Sequence, residues 1–311
     1  MFDRLYSKHK NTIYILYISI YRRTKLKRLQ KKCKDLKFDN CSLLRTFAHM
    51  ISLIIPYYKK QSYLKLILES LRQQVYTDFE VIVAEDDNCE ATREFIRTFS
   101  STVRYRIIHL EQPKDDGFRK AEMLNKAIRA ASGGIIVFLD GDCIPHPSFL
   151  KQYSTLSEKG KILFGRRVML SKTLSDELTA TSDLKLLSVA NFFRYKCDRK
   201  KYAFYLPFLK PKESLKRGIW GCNWGCLKST LTDVNGFDED YIRAGVGEDV
   251  DIEWRLKKNN CRFFYAPQLV LVYHLYHDAN YSVADVNFNL ELCRKKQELG
   301  VIACRNGLEK R

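Results

Sequence analysis

The stretch Gly134-Ile135-Ile136-Val137-Phe138-Leu139-Asp140-Gly141-Asp142-Cys143-Ile144-Pro145 decides the fold. Its first half is apolar and rich in β-branched residues, which predicts a short strand buried on both faces. The strand ends in two carboxylates, Asp140 and Asp142. Ligands of open α/β sheets bind at the carboxyl ends of the strands. Neighbouring carboxylates repel each other, so a divalent cation is favoured there, and a solvated Asp-Gly-Asp turn is the alternative.

Strand and helix patterns alternate around this stretch. Apolar runs at residues 50–56, 79–84, 105–110 and 135–139 predict strands, and amphipathic runs at 62–74, 92–99 and 119–131 predict helices. This alternation is typical of a mostly parallel central sheet flanked by helices, the α/β doubly wound (Rossmann-like) class. A second acidic cluster, Glu85-Asp86-Asp87, follows the second strand. Parallel strands end at one edge of the sheet, so both acidic clusters are expected to share one cleft.

The positive charge is concentrated at the N-terminus. The formal net charge is +18, and residues 1–50 hold 13 Lys or Arg and three Asp. This predicts a basic helical arm over residues 1–48 and an anionic partner. The apolar residues 13–21 are too few to span a bilayer, which needs about 20. Cations on both sides of this run favour an arm lying on an anionic membrane, and a helix packed on the body is the alternative.

Several classes of protein are disfavoured by missing motifs. The sequence contains neither G-x-x-x-x-G-K-[ST] nor a G-x-G-x-x-G after the first strand. A bound nucleotide would therefore have its phosphates neutralised by a metal rather than by a glycine-rich loop. The ten cysteines include no C-x-x-C pair, so a zinc site is disfavoured. Scattered cysteines indicate reduced thiols and a cytosolic compartment.

Residues 218–256 carry a second group of candidate site residues. Glu248 and Asp249 follow glycines at the expected start of a helix. The helix dipole favours carboxylates at that position and accounts for one of the pair, but does not require both. Trp220 and Trp224 are either core residues or aromatic faces for a sugar ring.

Two histidines follow the last predicted strand, at residues 266–273. They are His274 and His277. Imidazole together with carboxylate suits Mn²⁺, so one of them is a candidate third ligand beside Asp140 and Asp142. The charged residues 284–311 predict a C-terminal helix.

Four segments together resemble a known family. They are residues 52–58 (SLIIPYY), 117–121 (GFRKA) with Asn125, 138–142 (FLDGD), and 235–238 (NGFD) with 247–249 (GED). In this order and spacing, the chain resembles a family 2 glycosyltransferase of the GT-A fold over about residues 50–280. Its C-terminal portion is similar to the galactosyltransferase-type domain of bacterial chondroitin-polymerase-like enzymes.

The resemblance implies a role for each candidate residue. Asp142 would bind Mn²⁺ or Mg²⁺ with His274 or His277, and Asp249 would be the catalytic base, with Glu248 holding the acceptor. Pro56 and Tyr57 would border the nucleotide base, Glu85 and in particular Asp86 would contact uracil, and Arg119 would contact the nucleotide. Asp140 would bind the ribose or the metal. Trp220 and Trp224 would contact the acceptor.

The sequence thus predicts a metal-dependent inverting glycosyltransferase. It would move a hexose or N-acetylhexosamine from a UDP-sugar to a hydroxyl of a glycan or glycolipid, in cell-surface polysaccharide or lipopolysaccharide synthesis. We expect it in the cytoplasm, peripheral on the inner face of the membrane and without a nucleic-acid partner. The expected parts are the arm, a nucleotide-sugar half (49–150), an acceptor half (151–283) and a terminal helix (284–311). One alternative is a basic nucleic-acid-binding protein, which the net charge of +18 favours. The other is a glycosidase-like hydrolase that uses paired carboxylates.

Overall fold

A computed structural model describes residues 50–216, 218–278 and 281–311. The basic arm predicted for residues 1–48 lies outside these ranges. Among the described helices, none combines the length and the apolar composition that a bilayer-spanning segment requires.

Strands and helices alternate along the first third of the described chain, as predicted, and a more mixed pattern follows. The elements are β1 (Ile51–Tyr57), α1 (Gln61–Leu71), β2 (Phe79–Glu85), α2 (Glu90–Ser100), β3 (Arg106–Leu110), α3 (Lys120–Ala130), β4 (Ile135–Phe138), β5 (Cys143–Pro145), α4 (Phe149–Leu156), β6 (Lys161–Phe164), β7 (Arg167–Met169), α5 (Lys172–Thr181), α6 (Val189–Arg194), β8 (Lys212–Glu213), β9 (Trp224–Leu227), α7 (Lys228–Asp233), α8 (Glu248–Lys258), β10 (Arg262–Tyr265), β11 (Val272–His274) and α9 (Val283–Glu298). Short 3₁₀ turns cover Leu184–Leu186 and Lys200–Tyr202.

The central sheet has eight strands in the order β3-β2-β1-β4-β9-β6-β10-β8. The first four strands along the chain run parallel to one another, as predicted. Strand β9 is antiparallel to both of its neighbours, β4 and β6. The sheet is therefore mixed, and the candidate site of the first half lies at the carboxyl edge of its parallel part.

Strand β4 is buried on both faces, as its composition predicts. Ile135 and Val137 pack into the core on one side of the sheet, and Ile136 and Phe138 into the core on the other. Burying a side chain of this kind contributes roughly 1.5–3 kcal/mol. This strand therefore fixes the position of the acidic segment that follows it.

A second, three-stranded sheet has the order β5-β11-β7. Strand β11 pairs antiparallel with β5, and this register sets His274 opposite Cys143. It pairs in parallel with β7 on its other side. This small sheet thereby brings the last strand of the fold beside Asp142.

The C-terminal helix is shorter than the predicted range of residues 284–311. Helix α9 begins with a capping box formed by Ser282 and Asp285, and it ends at Glu298. Gly300 follows with φ of 66°, a left-handed conformation that favours glycine and stops a helix. The remaining residues are irregular, apart from an isolated bridge between Asn306 and Lys310.

Helix α8 is held in place by a buried arginine. Arg255 is 1% exposed, and its Nε donates to Asp251 over 2.7 Å. Its Nη1 donates to the carbonyl oxygens of Val234 (2.8 Å) and Gly236 (2.7 Å). This guanidinium therefore joins α8 to the loop that follows α7.

We expect Arg255→Ala to lower the free energy of unfolding by about 3–5 kcal/mol, because it leaves the Asp251 carboxylate buried without its cation. Urea denaturation monitored by circular dichroism measures this. Arg262→Ala is the control, because the Arg262 side chain is 57% exposed and lies 3.7 Å from Glu158. Equal losses in the two variants would contradict the assigned role of Arg255.

Candidate active site

The Asp-Gly-Asp segment after β4 packs against the end of β1. A Cβ added to Gly141 would lie 2.7 Å from the carbonyl oxygen of Pro56, so a larger residue does not fit. The side chains of Asp140 and Asp142 are each 22% exposed. The segment is therefore a built part of the cleft rather than a solvated turn.

Asp142 meets both candidate histidines. Its Oδ2 lies 2.9 Å from His277 Nε2 and 3.3 Å from His274 Nε2. Burial raises the pKa of the Asp142 carboxyl, but the hydrogen bonds with both imidazoles outweigh this and hold the pKa well below its usual range. The sequence left open which histidine accompanies Asp142, and the structure brings both to it.

These three residues fit a divalent metal. One ligand atom from each of Asp142, His274 and His277 lies within 4.8 Å of the other two. A carboxylate with two imidazoles is a donor set suited to Mn²⁺. Glu85, His109 and Glu111 form a second such group, but there the imidazole pairs with Glu85 and Arg93 neutralises Glu111.

Asp86 directly follows strand β2, and one of its carboxylate oxygens is hydrogen-bonded while the other is open. Its Oδ2 accepts a hydrogen bond from the backbone N–H of Arg119 over 2.8 Å. Its Oδ1 is buried and has no hydrogen-bond partner among the described residues. Burial raises the pKa of Asp86 to about 6. The open oxygen is an unused acceptor for a donor group on a ligand.

Two residues predicted to contact the nucleotide have buried side chains. Glu85 is 0% exposed, and its oxygens face the backbone N–H of Cys89 and the imidazole of His109. Its predicted nucleotide contact is therefore wrong, since both carboxylate oxygens are already engaged within the protein. Tyr57 is 3% exposed, with its hydroxyl 3.3 Å from Thr92 Oγ1. Only the main chain of Tyr57 is left for the predicted contact, beside Pro56.

The Glu248–Asp249 pair opens helix α8, as the sequence predicts. Glu248 is 2% exposed, and one of its carboxylate oxygens has no hydrogen-bond partner among the described residues. Asp249 Oδ2 accepts from the backbone N–H of Gly221 over 2.8 Å. Burial, reinforced by the charges of Glu248 and Asp140, raises the pKa of Asp249 to about 7.

Lys120, for which the sequence predicted no role, joins this pair to the metal side of the cleft. Its Nζ lies 3.4 Å from Asp140 Oδ1 and 3.2 Å from Glu248 Oε1. Burial lowers the pKa of Lys120, but the carboxylates of Asp140, Glu248 and Asp249 outweigh this and hold it well above its usual range. The sequence did contain an indication of this role. Lys120 is the first residue of α3, and the helix dipole disfavours a cation at that position unless carboxylates compensate it.

The two predicted acceptor tryptophans occupy different environments. Trp224 is 0% exposed, and its ring centroid lies 4.5 Å from that of Phe138 and 6.1 Å from that of Phe237. It is a core residue, so its predicted acceptor contact is wrong. Trp220 is half-buried and precedes Gly221, which contacts Asp249. Three guanidinium groups surround its ring at 4.3, 5.5 and 4.9 Å, those of Arg166, Arg167 and Arg199.

Together, the mixed sheet and the acidic, histidine-containing cleft at its edge define a glycosyltransferase domain of the GT-A type. Residues 52–211 match glycosyl transferase family 2, and residues 206–278 match a family described as the N-terminal domain of galactosyltransferase. The chain belongs to glycosyl transferase family 2. The predictions of family and fold class are confirmed.

Curated relatives share modest sequence identity with the chain. Chondroitin synthase of Escherichia coli is 26% identical over 240 residues, which cover 72% of this chain and 34% of the relative. Hyaluronan synthase of Pasteurella multocida is 24% identical over 266 residues, covering 79% of this chain and 27% of the relative. A validoxylamine A glucosyltransferase of Streptomyces hygroscopicus subsp. limoneus is 24% identical, covering 67% of this chain and 48% of the relative. The chain thus spans less than half the length of these relatives.

Solved structures support the fold. The mannosyltransferase PcManGT from Pyrobaculum calidifontis, in complex with GDP-Man and Mn²⁺, superposes with a TM-score of 0.53 at 16% identity, covering 80% of this chain and 64% of that one. GalNAc-T7 with UDP, GalNAc and Mn²⁺ gives a TM-score of 0.55 at 12% identity, covering 75% and 45%. At these identities the similarity concerns the fold alone.

We expect Asp249→Asn to stabilise the free protein near pH 8. A folded-state pKa of about 7, raised from 3.8, means that the stability contributed by this group is present below about pH 4 and is lost as the pH rises through 7. The side-chain amide of the Asp249→Asn variant would be uncharged and would still accept the hydrogen bond from Gly221. The free energy of unfolding of the variant should therefore rise by about 2 kcal/mol near pH 8 and change little near pH 4.

Thermal melts at both pH values measure this gain. Asp176→Asn is the control, because that side chain is 65% exposed and pairs with Lys172. If the melting temperature of Asp249→Asn is unchanged near pH 8, ionisation of Asp249 does not lower the stability of the folded protein.

Proposed function

We propose that this protein transfers a hexose or N-acetylhexosamine from a UDP-sugar to a hydroxyl group of a glycan or glycolipid, with inversion at the anomeric carbon. One observation carries the proposal: the Asp142–His274–His277 group and the Asp249–Glu248 pair meet at one sheet edge, joined through Lys120 and Asp140. The first group suits a metal that binds a diphosphate, and the second suits removal of a proton from an acceptor.

The donor end is supported by Asp86 and Arg119. The open Oδ1 of Asp86 suits the N–H of a uracil ring, and the backbone N–H of Arg119 holds the other oxygen. We assign the Arg119 guanidinium, which donates to the carbonyl oxygen of Phe118 over 3.0 Å, to the nucleotide. A Mn²⁺ or Mg²⁺ ion held by Asp142, His274 and His277 would offset the negative charge of the diphosphate leaving group. We assign Asp140 to the ribose or the metal. S. aureus TarS, which shares the fold, has been solved with UDP-GlcNAc.

The acceptor end is supported by the environment of Asp249. A carboxylate with a pKa of about 7 can take the proton of an acceptor hydroxyl as that oxygen attacks the anomeric carbon. Glu248, whose second oxygen is buried without a partner, is placed to hold the acceptor. One base and an in-line displacement invert the anomeric centre. We assign Trp220 to the acceptor because it directly precedes Gly221, whose backbone N–H donates to Asp249.

The names of two relatives support the proposed acceptor class. The names of the Escherichia coli relatives describe a chondroitin synthase and a glucosyltransferase acting on a GlcNAc-diphosphoundecaprenol. We therefore propose a glycan or glycolipid acceptor in cell-surface polysaccharide or lipopolysaccharide synthesis. We place the protein at the cytoplasmic face of the membrane, on the basis of the basic, partly apolar arm in the sequence.

We expect UDP release from a UDP-sugar to require Mn²⁺ or Mg²⁺ and to fail in two distinct ways. Asp142→Ala should abolish metal-dependent donor binding, because it removes the carboxylate between the two histidines. Asp249→Asn should keep donor binding and lower kcat roughly 10²–10⁴-fold, because it removes the base. Binding by calorimetry and turnover by UDP release separate the two effects.

Asp240→Asn is the control for both variants, since that carboxylate is partly exposed and pairs with Lys296. Intact turnover in Asp142→Ala or Asp249→Asn would overturn the assignment. Sugar hydrolysis without a nucleotide requirement would favour a hydrolase. Binding of nucleic acid that does not depend on the arm would favour the other alternative.

We expect kcat/KM to rise with pH through about 7, because the base must be ionised to act and the pKa of Asp249 is about 7. The positive charge of Lys120 lowers that pKa. Lys120→Met should therefore move the rising limb to higher pH. Lys126→Met is the control on the same helix, where the lysine pairs with Glu122 outside the cleft. If the rising limb of the pH profile does not move in Lys120→Met, a group other than Asp249 controls the pH dependence of kcat/KM.

A further inference from the structure

Residues 193–216 form a largely exposed segment that contains none of the proposed site residues. We call it the aromatic-basic segment. Large exposed apolar side chains that are concentrated in one stretch of chain are typical of an interaction surface. Its exposed large apolar side chains are Phe193 (58% exposed), Phe204 (43%), Phe208 (76%), Leu209 (42%) and Leu215 (88%).

The same segment is strongly cationic. It carries eight Lys or Arg against two acids, Asp198 and Glu213. Across the described ranges, none of these eight cations forms a salt bridge with a carboxylate. Helix α9 is different, since Arg294, Lys295 and Lys296 there each pair with an acid. Among the residues that the structure describes, the positive charge of the segment therefore has no carboxylate partner.

The cations and apolar groups alternate on an anchored backbone. Lys200 Nζ lies 5.5 Å from the centre of the Phe193 ring, and Leu209 borders one groove together with Lys201 and Lys210. The backbone N–H of Leu206 donates to Gln268 over 3.0 Å. Strand β8 pairs with β10 at the edge of the large sheet. The side chains are therefore displayed by a chain with fixed contacts to the body.

We propose that the aromatic-basic segment docks on an anionic lipid bilayer. Phe208, Leu209 and Leu215 would enter the boundary between headgroups and acyl chains, and the flanking lysines would contact lipid phosphates. Each cation near such a surface contributes attraction that salt weakens. This surface lies in the body of the protein and is separate from the basic arm predicted for residues 1–48.

Two other occupants fit the segment less well. Single-stranded nucleic acid would use aromatic faces for stacking, but two of the five exposed apolar groups are leucines, which have no ring to stack on a base. The N-terminal residues 1–50 carry a net charge of +10, which has the same sign as the charge of the segment and does not complement it. An anionic bilayer satisfies both the charge and the aliphatic groups.

Fluorescence in the full-length protein tests the proposal. Phe208→Trp places a reporter in the segment, and Leu299→Trp places one at an equally exposed residue (75%) outside it. Vesicles of phosphatidylglycerol and phosphatidylethanolamine with brominated acyl chains quench only a tryptophan that enters the bilayer. We expect quenching of the first variant and none of the second, with loss of the effect on neutral phosphatidylcholine vesicles.

Affinity gives a second measurement. Phe208→Ser combined with Leu215→Ser should weaken vesicle binding at least roughly tenfold, because two inserted apolar side chains are lost. Val283→Ser combined with Leu299→Ser is the matched control, at 77% and 75% exposure, and should leave binding unchanged. Circular dichroism confirms that all variants fold.

Three results would overturn the proposal. One is vesicle binding without quenching of the Phe208→Trp variant, which would assign the binding to another part of the chain. The second is equal affinity of the two double variants. The third is preferential binding of single-stranded RNA that competes with vesicles for the same segment. Because the test uses no sugar nucleotide, its outcome is independent of the proposed transferase activity.

Discussion

The cleft depends on one partly buried cation, which lies between carboxylates that come from distant parts of the chain. Lys120 contacts Asp140 after strand β4 and Glu248 at the start of α8. Without a cation between them, Asp140, Glu248 and Asp249 would face one another in a partly buried site, where like charges repel strongly. The position of α3 is therefore not only a matter of packing against the sheet. Its first residue must reach both carboxylates, and this requirement ties α3, β4 and α8 together.

The same constraint explains the contrast between the two acids that the proposal uses. Asp142 lies between two imidazoles, which keep its pKa low and the carboxylate ionised. Burial and the negative charges of Glu248 and Asp140 raise the pKa of Asp249 to about 7, and the positive charge of Lys120, which Asp249 shares with two other carboxylates, only partly offsets them. A low pKa suits a metal ligand and a raised one suits a proton acceptor. The difference arises from neighbours, since both residues are aspartates at the edge of one sheet.

The sequence predicted the parts of this structure that follow from local pattern. Strand β4 is a continuous apolar run, which already implies burial on both faces, and the carboxylates after it mark the cleft. Trp224 and Glu85 could not be placed in the same way. A tryptophan beside glycines suits either a core or a sugar site, and only the packing of Phe138 and Phe237 decides. Glu85 is removed from the cleft by His109, on the neighbouring strand β3. Both outcomes depend on contacts between distant residues.

Strand β9 has a consequence for how such proteins can be recombined. The match to glycosyl transferase family 2 ends at residue 211, yet β9, at residues 224–227, lies between β4 and β6 of that region. A chimera that exchanges only the region after residue 211 must supply a foreign strand to the centre of the sheet. That strand would need to match the hydrogen-bonding register of two native neighbours at once. Variation in acceptor preference among such proteins should therefore accumulate in loops rather than through exchange of whole halves.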